Sequence, residues 1–100
     1  MKARRSKTLR IQGMDWRVRV KAPSASGPLN DKTNIWGRCN FEKNEITLST
    51  ERTLEGRMET LLHEGTHATA PKASERLVED ISARLFAFLN DNGLLNKARL

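Results

Sequence analysis

Tyrosine is missing from this 100-residue chain, cysteine occurs once and histidine only twice. Each shortage excludes something. With Cys39 alone there is no internal disulfide, and a reducing cytoplasm is the compartment that fits. No stretch approaches the ~20 consecutive apolar residues of a membrane span, so no spanning helix is expected. The basic opening, Met1 to Lys7, is followed by no apolar segment and does not have the form of a secretory signal. There is no internal repeat and no second domain. There is also no aromatic-and-basic motif of the RNA-binding type and no helix with a basic recognition face.

What remains is one small domain spanning residues 1–100, 37% hydrophobic and 30% charged, with its apolar residues gathered in periodic runs. The net charge of +6 is uneven. Lys2, Arg4, Arg5, Lys7, Arg10, Arg17, Arg19 and Lys21 are eight of the 18 basic residues, set against Asp15 alone in the first 21 positions. This pattern predicts a flexible basic terminus over residues 1–8, followed by the outer face of a strand. The same charge could draw nucleic acid or another acidic partner.

Leu9 and Ile11, the turn Gly13-Met14-Asp15, and then Trp16, Val18 and Val20 make a hairpin pattern, with Arg17, Arg19 and Lys21 alternating on the second arm. Residues 22–34 read as a loop by composition. Alternation returns at Ile35, Cys39 and Phe41, breaks at Glu42-Lys43-Asn44 and resumes at Ile46 and Leu48, a second hairpin. Trp16 and Trp36 fall in these alternating patterns as core or strand-face residues, and Cys39 reads as a small buried hydrophobe. Neither hairpin is apolar enough to stand alone.

Their partner is the C-terminal half. Ser49 or Thr50 is a candidate cap and Glu51 suits a first turn. Leu54, Met58, Leu61, Leu62, Gly65 and Ala68 recur at helical spacing until Pro71. A second helix is expected from Ala73 or Ser74, with Leu77, Val78, Ile81, Leu85, Phe88 and Leu89 on one side and Asn92-Gly93 as its C-terminal cap. Strands followed by two helices predict an α+β fold: a small antiparallel sheet of N-terminal hairpins packed on two C-terminal helices.

The first helix carries His63-Glu64-Gly65-Thr66-His67, the H-E-x-x-H pattern. Residues four apart share a helix face, so two imidazoles can grip one ion. Zinc suits them, taking neutral nitrogen ligands at about 2.0–2.1 Å. Glu64 projects about 100° away from His63, within reach of a metal-bound water without being a ligand. Zinc lowers the pKa of that water, and the glutamate takes its proton as it attacks a carbonyl. A shuffled chain of this composition contains the pattern roughly once in 600 trials, too seldom to dismiss. With His63 at 0°, Leu54, Met58, Leu61 and Gly65 cluster at about 160–220°, which predicts histidines facing away from the packed side.

A catalytic zinc site needs a third protein ligand. With no third histidine, the candidates are Glu75, Glu79 and Asp80 of the second helix. Asp80 points nearly opposite, and Glu75 lies nearer the edge of the apolar stripe, so Glu75 is preferred to Glu79. Glu45–Ser49 is a candidate edge strand for pairing with an extended substrate. Without a tyrosine, oxyanion stabilisation would fall to the metal, helped by Arg38 or a backbone N–H.

Thr60-Leu-Leu-His-Glu-Gly-Thr-His-Ala68, with Glu75-Arg-Leu-Val-Glu-Asp-Ile81 and Leu85-Phe-Ala-Phe-Leu-Asn-Asp-Asn92, resembles small phage-encoded zincin-like proteins. These are related in pattern to the ImmA/IrrE and SprT-like metallopeptidases. Ile35-Trp-Gly37 and Glu45-Ile-Thr-Leu48 look like the strand pair that precedes the motif there. The resemblance covers roughly residues 35–92 and departs from many relatives in its short link of seven residues between His67 and Glu75. It implies one zinc ion on His63, His67 and a glutamate of the following helix, here Glu75, with Glu64 as general base. It also implies hydrolysis of a protein or peptide substrate, in the host cytoplasm if phage-encoded. The rival expectation is a nucleic-acid or protein-binding module whose zinc site is structural or vestigial.

Overall fold

The computed structural model describes residues 5–24, 27–30 and 35–95. β1 (Arg5–Ile11) and β2 (Met14–Lys21) pair antiparallel, with Leu9 opposite Trp16. Gln12 and Gly13 join them at φ of 53° and 78°. Positive φ at both positions of a two-residue link follows the twist of the flanking strands, and glycine adopts it without steric cost. The turn thus falls one residue earlier than Gly13-Met14-Asp15. β1 begins inside the stretch expected to be a flexible terminus, because its backbone is paired to β2 from Arg5 onward. Lys2 and Arg4 of the basic run lie outside the described residues, as do residues 25–26 and 31–34 of the predicted loop.

β3 (Gly37–Asn40) and β4 (Glu45–Ser49) form the second antiparallel hairpin. The sheet order is β1-β2-β4-β3, and β2 runs parallel to β4. The α+β class stands, with both hairpins and both helices where the sequence puts them, but the sheet is mixed rather than antiparallel throughout. Lys21 lies opposite Ser49 and Gly37 opposite Leu48, so the chain leaves β2 and enters β3 at the same end of β4. One further reversal, over residues 41–44, then sets β4 parallel to β2. This topology corrects the edge assignment: β4 is paired on both sides, and the strand with a free edge beside the helices is β3.

α1 (Leu54–Thr69) is capped by Thr53, whose Oγ1 accepts from the Gly56 N–H at 3.0 Å. The cap is neither Ser49 nor Thr50, because Ser49 is still in β4 and its Oγ accepts from Glu51 N–H in the turn that redirects the chain. α2 (Glu75–Asp91) is capped by Ser74 and ends at Asn92-Gly93, with Gly93 at φ 67°. Asn90 donates to Glu55, tying the end of α2 to the start of α1. No helix among the described residues is long and apolar enough to cross a membrane.

The core lies between the sheet and α1. Trp16, Val18, Ile46, Leu48 and Ala68 are buried together, with Ile11, Val20, Cys39, Met58 and Leu61 packed around them. Each fully buried aliphatic side chain contributes about 1.5–3 kcal/mol. Arg17, Arg19 and Lys21 alternate with the buried positions of β2, as the period of two requires.

The deepest ridge of α1 is Gly56, Thr60, Glu64 and Ala68, spaced four apart. These small and polar residues allow close approach, and of them the hydrophobic pattern marks Ala68 alone. An ideal Cβ on Gly37 of β3 would stand 2.5 Å from Thr60 Cγ2 and 3.3 Å from Glu64 Cγ. Gly37→Ala is therefore expected to destabilise the fold by about 1–3 kcal/mol. Thr60→Ser, which removes that methyl, should recover most of the loss in the double variant. Denaturant midpoints of the four proteins would check this, and additive losses would show that the contact is not the cause.

Candidate metal centre

Three side chains predicted from sequence to share a site meet across the α1–α2 interface. His63 and His67 lie one turn apart on α1, with ring centroids 4.9 Å apart. Glu75, the first residue of α2, reaches both. Its Oε2 lies 3.1 Å from His63 Nε2 and its Oε1 lies 2.8 Å from His67 Nε2. The three ligand atoms lie within 4.8 Å of one another. Ligands on a tetrahedral ion at about 2.0–2.1 Å stand a little over 3 Å apart, so small side-chain rotations admit a cation.

The donor set, two imidazoles and a carboxylate, is one that zinc accepts. Glu75 and not Glu79 faces the histidines. Glu79 is not in that group; together with His63, Glu64 and Glu75 it lines a cavity of about 480 Å³. The seven-residue link suffices because Pro71 to Ser74 turn the chain and Ser74 caps α2 immediately before Glu75.

The histidines do not lie on an open outer face of α1. Their side chains are 21% exposed, because α1 is packed on two sides, by the sheet and by α2. The leucine and methionine side marked by the hydrophobic pattern is only half-buried, and Leu54 is exposed. The site is a seam between helices beside the edge of β3.

Glu64 is 9% exposed and lies on the sheet side of the seam, against Gly37. In the metal-free chain, burial raises its carboxyl pKa above the ordinary 4.5; His63, His67 and Arg38 oppose this, while Glu75 reinforces it. The folded chain thus keeps this proton at pH values where the unfolded chain has released it. Stability accordingly falls as pH rises from about 4.5 through the raised pKa. Glu64→Gln removes the buried ionisation. In the metal-free protein the variant is expected to melt about 2–5 °C above wild type at alkaline pH, with the gap closing at acid pH, in thermal scans. An equal gap at all pH values would contradict the burial cost.

Cys39 shares a smaller hollow with Arg38, His63, Glu64, His67 and Glu75. Burial, helped by the Glu64 charge, pushes its thiol up to about 11, so at neutral pH it is a neutral, weakly reactive group. It packs against the core as the reading as a small hydrophobe expects, but is half-buried rather than buried. Arg38 donates from Nε to the Pro28 carbonyl at 3.2 Å and borders the same hollow, the place an oxyanion helper would need.

One wall of the larger cavity carries residues that the motif did not reveal. Trp36, Gly37, Arg52 and Thr60 line it together with His63, Glu64 and Glu75. Arg52 stacks over Trp36 at 5.2 Å from the ring centre and donates to Thr60 Oγ1 at 3.2 Å. Trp36 is thereby an exposed wall residue, 38% accessible, whereas Trp16 is in the core as expected. The Trp36-Gly37 step that opens β3 was the available signal, since the tryptophan borders the cleft and the glycine admits the helix.

Comparison with protein-family models, with curated proteins and with solved structures gave no match. The functional reading therefore rests on the residues and their geometry.

Proposed function

We propose that this chain is a zinc-dependent hydrolase of the metallopeptidase kind, holding one zinc ion through His63, His67 and Glu75. The observation that carries the reading is the convergence of both imidazole Nε2 atoms on one carboxylate, with the buried Glu64 alongside. Zinc, when bound, would supply Lewis acidity, which acidifies water and polarises a carbonyl. The remaining steps belong to the chain's own side chains. Glu64 accepts a proton from the attacking water as the carbon–oxygen bond forms. It then returns that proton to the amide nitrogen as the carbon–nitrogen bond breaks.

The free edge of β3 and the Trp36–Arg52 wall bound the approach to the site, and an extended peptide suits that shape. The test is proteolysis of a disordered protein such as labelled casein by the zinc-loaded chain. Chelator-sensitive cleavage is expected. Zinc bound at full stoichiometry with no cleavage of casein or of a peptide library would reject the hydrolase and leave a metal-binding module.

The basic strand face supports a second reading, of a nucleic-acid-binding module. Arg17, Arg19 and Lys21 share the sheet face opposite α1, although Glu45 stands 4.0 Å from Arg17 and 3.4 Å from Arg19. Salt-sensitive binding of single- or double-stranded DNA or RNA, unchanged in Glu64→Gln, would favour it.

A further inference from the structure

α2 has one neighbour among the described elements. It packs against α1 alone, burying Val78 and Ser82 with Phe86 and Leu89 half-buried beside them. A second apolar stripe stands next to that face. With Glu75 at zero, Leu77, Phe88, Ile81 and Leu85 fall at about 200°, 220°, 240° and 280° around the helix. They remain 47%, 58%, 43% and 42% exposed. Four half-exposed side chains in one row on so small a chain form a patch of the kind that marks an interaction site. The residues of α2 that line the cleft, Glu75, Glu79, Ser82 and Ala83, lie on the far side of the helix, at about 340° to 80°.

The stripe is nearly symmetric about its centre. Ile81 and Leu85 are placed about residue 83, and Leu77 and Phe88 about a point half a residue earlier. The charges beside it are antisymmetric. Asp80 and Arg84 lie on one flank, at about 140° and 180°, placed about residue 82, within one residue of that centre, and are opposite in sign. Within one chain they form an exposed i,i+4 pair at 3.0 Å, with side chains 58% and 79% accessible, so both remain open to a further partner.

Two copies of α2 related by a two-fold axis at this centre run antiparallel, with like flanks facing each other. Leu77 then meets the partner's Phe88, Ile81 meets the partner's Leu85, and Asp80 meets the partner's Arg84. Each contact occurs twice. A parallel pair would set the charged flank of one helix against the apolar Leu85 side of the other.

We propose that the chain forms a homodimer through antiparallel packing of α2 on α2, along Leu77, Ile81, Leu85 and Phe88, with Asp80 facing the partner's Arg84. The pairing goes beyond the hydrolase reading and does not depend on it, since both clefts remain open on the outer sides of the helix pair.

Sedimentation equilibrium of the full chain, from micromolar to millimolar concentration, tests this directly. The expected mass rises from 11.4 kDa towards twice that value. Ile81→Asp is expected to raise the dissociation constant on the order of 100-fold, with the helical circular dichroism retained. Asp80→Arg, which sets arginine against arginine, should weaken pairing about 5–10-fold, and adding Arg84→Asp in the same chain should restore it. The exposed charge variants keep the test decisive should Ile81→Asp unfold. A mass of 11.4 kDa at every concentration would overturn the proposal. So would association indifferent to Ile81→Asp, a charge swap that restores nothing, or a monomer that uses this stripe to bind lipid vesicles.

Discussion

Replacing His63 with alanine is expected to lower zinc affinity by about 10²–10³-fold, because a protein zinc site worth about 10–16 kcal/mol divides over few ligands at about 3–4 kcal/mol each. Both imidazoles converge on Glu75, so the loss of either leaves one nitrogen and one carboxylate, too few to hold the ion against a weak chelator. The fold is expected to survive, since the His63 side chain lies in the seam and contributes nothing to the core around Trp16 and Ile46. Glu75→Gln should weaken zinc as well, because a neutral amide oxygen is a poorer ligand than a carboxylate. Glu79→Gln should leave the affinity unchanged, since Glu79 is not among the side chains whose ligand atoms converge with those of the histidines. Zinc titration against a competing indicator reads all three variants. A Glu79 variant as damaged as the Glu75 variant would move the third ligand.

Glu64→Gln separates binding from chemistry. The amide keeps the size and burial of the side chain, so zinc affinity should stay within about threefold of wild type while kcat/KM for peptide cleavage falls by about 10²–10⁴-fold, the range for removing a general base. The same substitution is expected to stabilise the metal-free chain. A group that costs stability in the resting protein and is indispensable in turnover is what a catalytic carboxylate should look like. If Glu64→Gln lost zinc and activity together, Glu64 would be a ligand or a structural support, and the division of roles proposed here would fail.

The strands and helices were readable from the periods of two and 3.6 because the hairpins and the α2 termini carry strong local signals. Ser74, Asn92 and Gly93 sit where their capping chemistry puts them. The parallel joint of the sheet was not readable, because it depends on which end of β4 the chain from Lys21 passes, and no residue pattern encodes that. The packed face of α1 was partly misjudged, for a different reason. Met58, Leu61 and Ala68 of the hydrophobic pattern do pack on the core, yet Leu54 is exposed and the closest packing also uses Gly56 and Thr60, where smallness matters more than hydrophobicity.

That error bears on the site. Glu64 belongs to the buried ridge, and its environment is set by Gly37 on another strand, a contact invisible along the sequence. The approach of Glu75 to both histidines was legible from its place at the edge of the α2 apolar stripe, and the short link with its Ser74 cap starts α2 at that residue. In α2 the apolar stripe is wider than α1 covers, so Leu77, Ile81, Leu85 and Phe88 were expected inside and stand outside.

The central claim is that His63, His67 and Glu75 hold a zinc ion. The most direct test is the metal content of the full-length chain purified without chelator, by elemental mass spectrometry, before and after zinc addition and gel filtration. One zinc per chain is predicted, dropping to near zero in His63→Ala. A content near zero that added zinc does not restore would contradict the account.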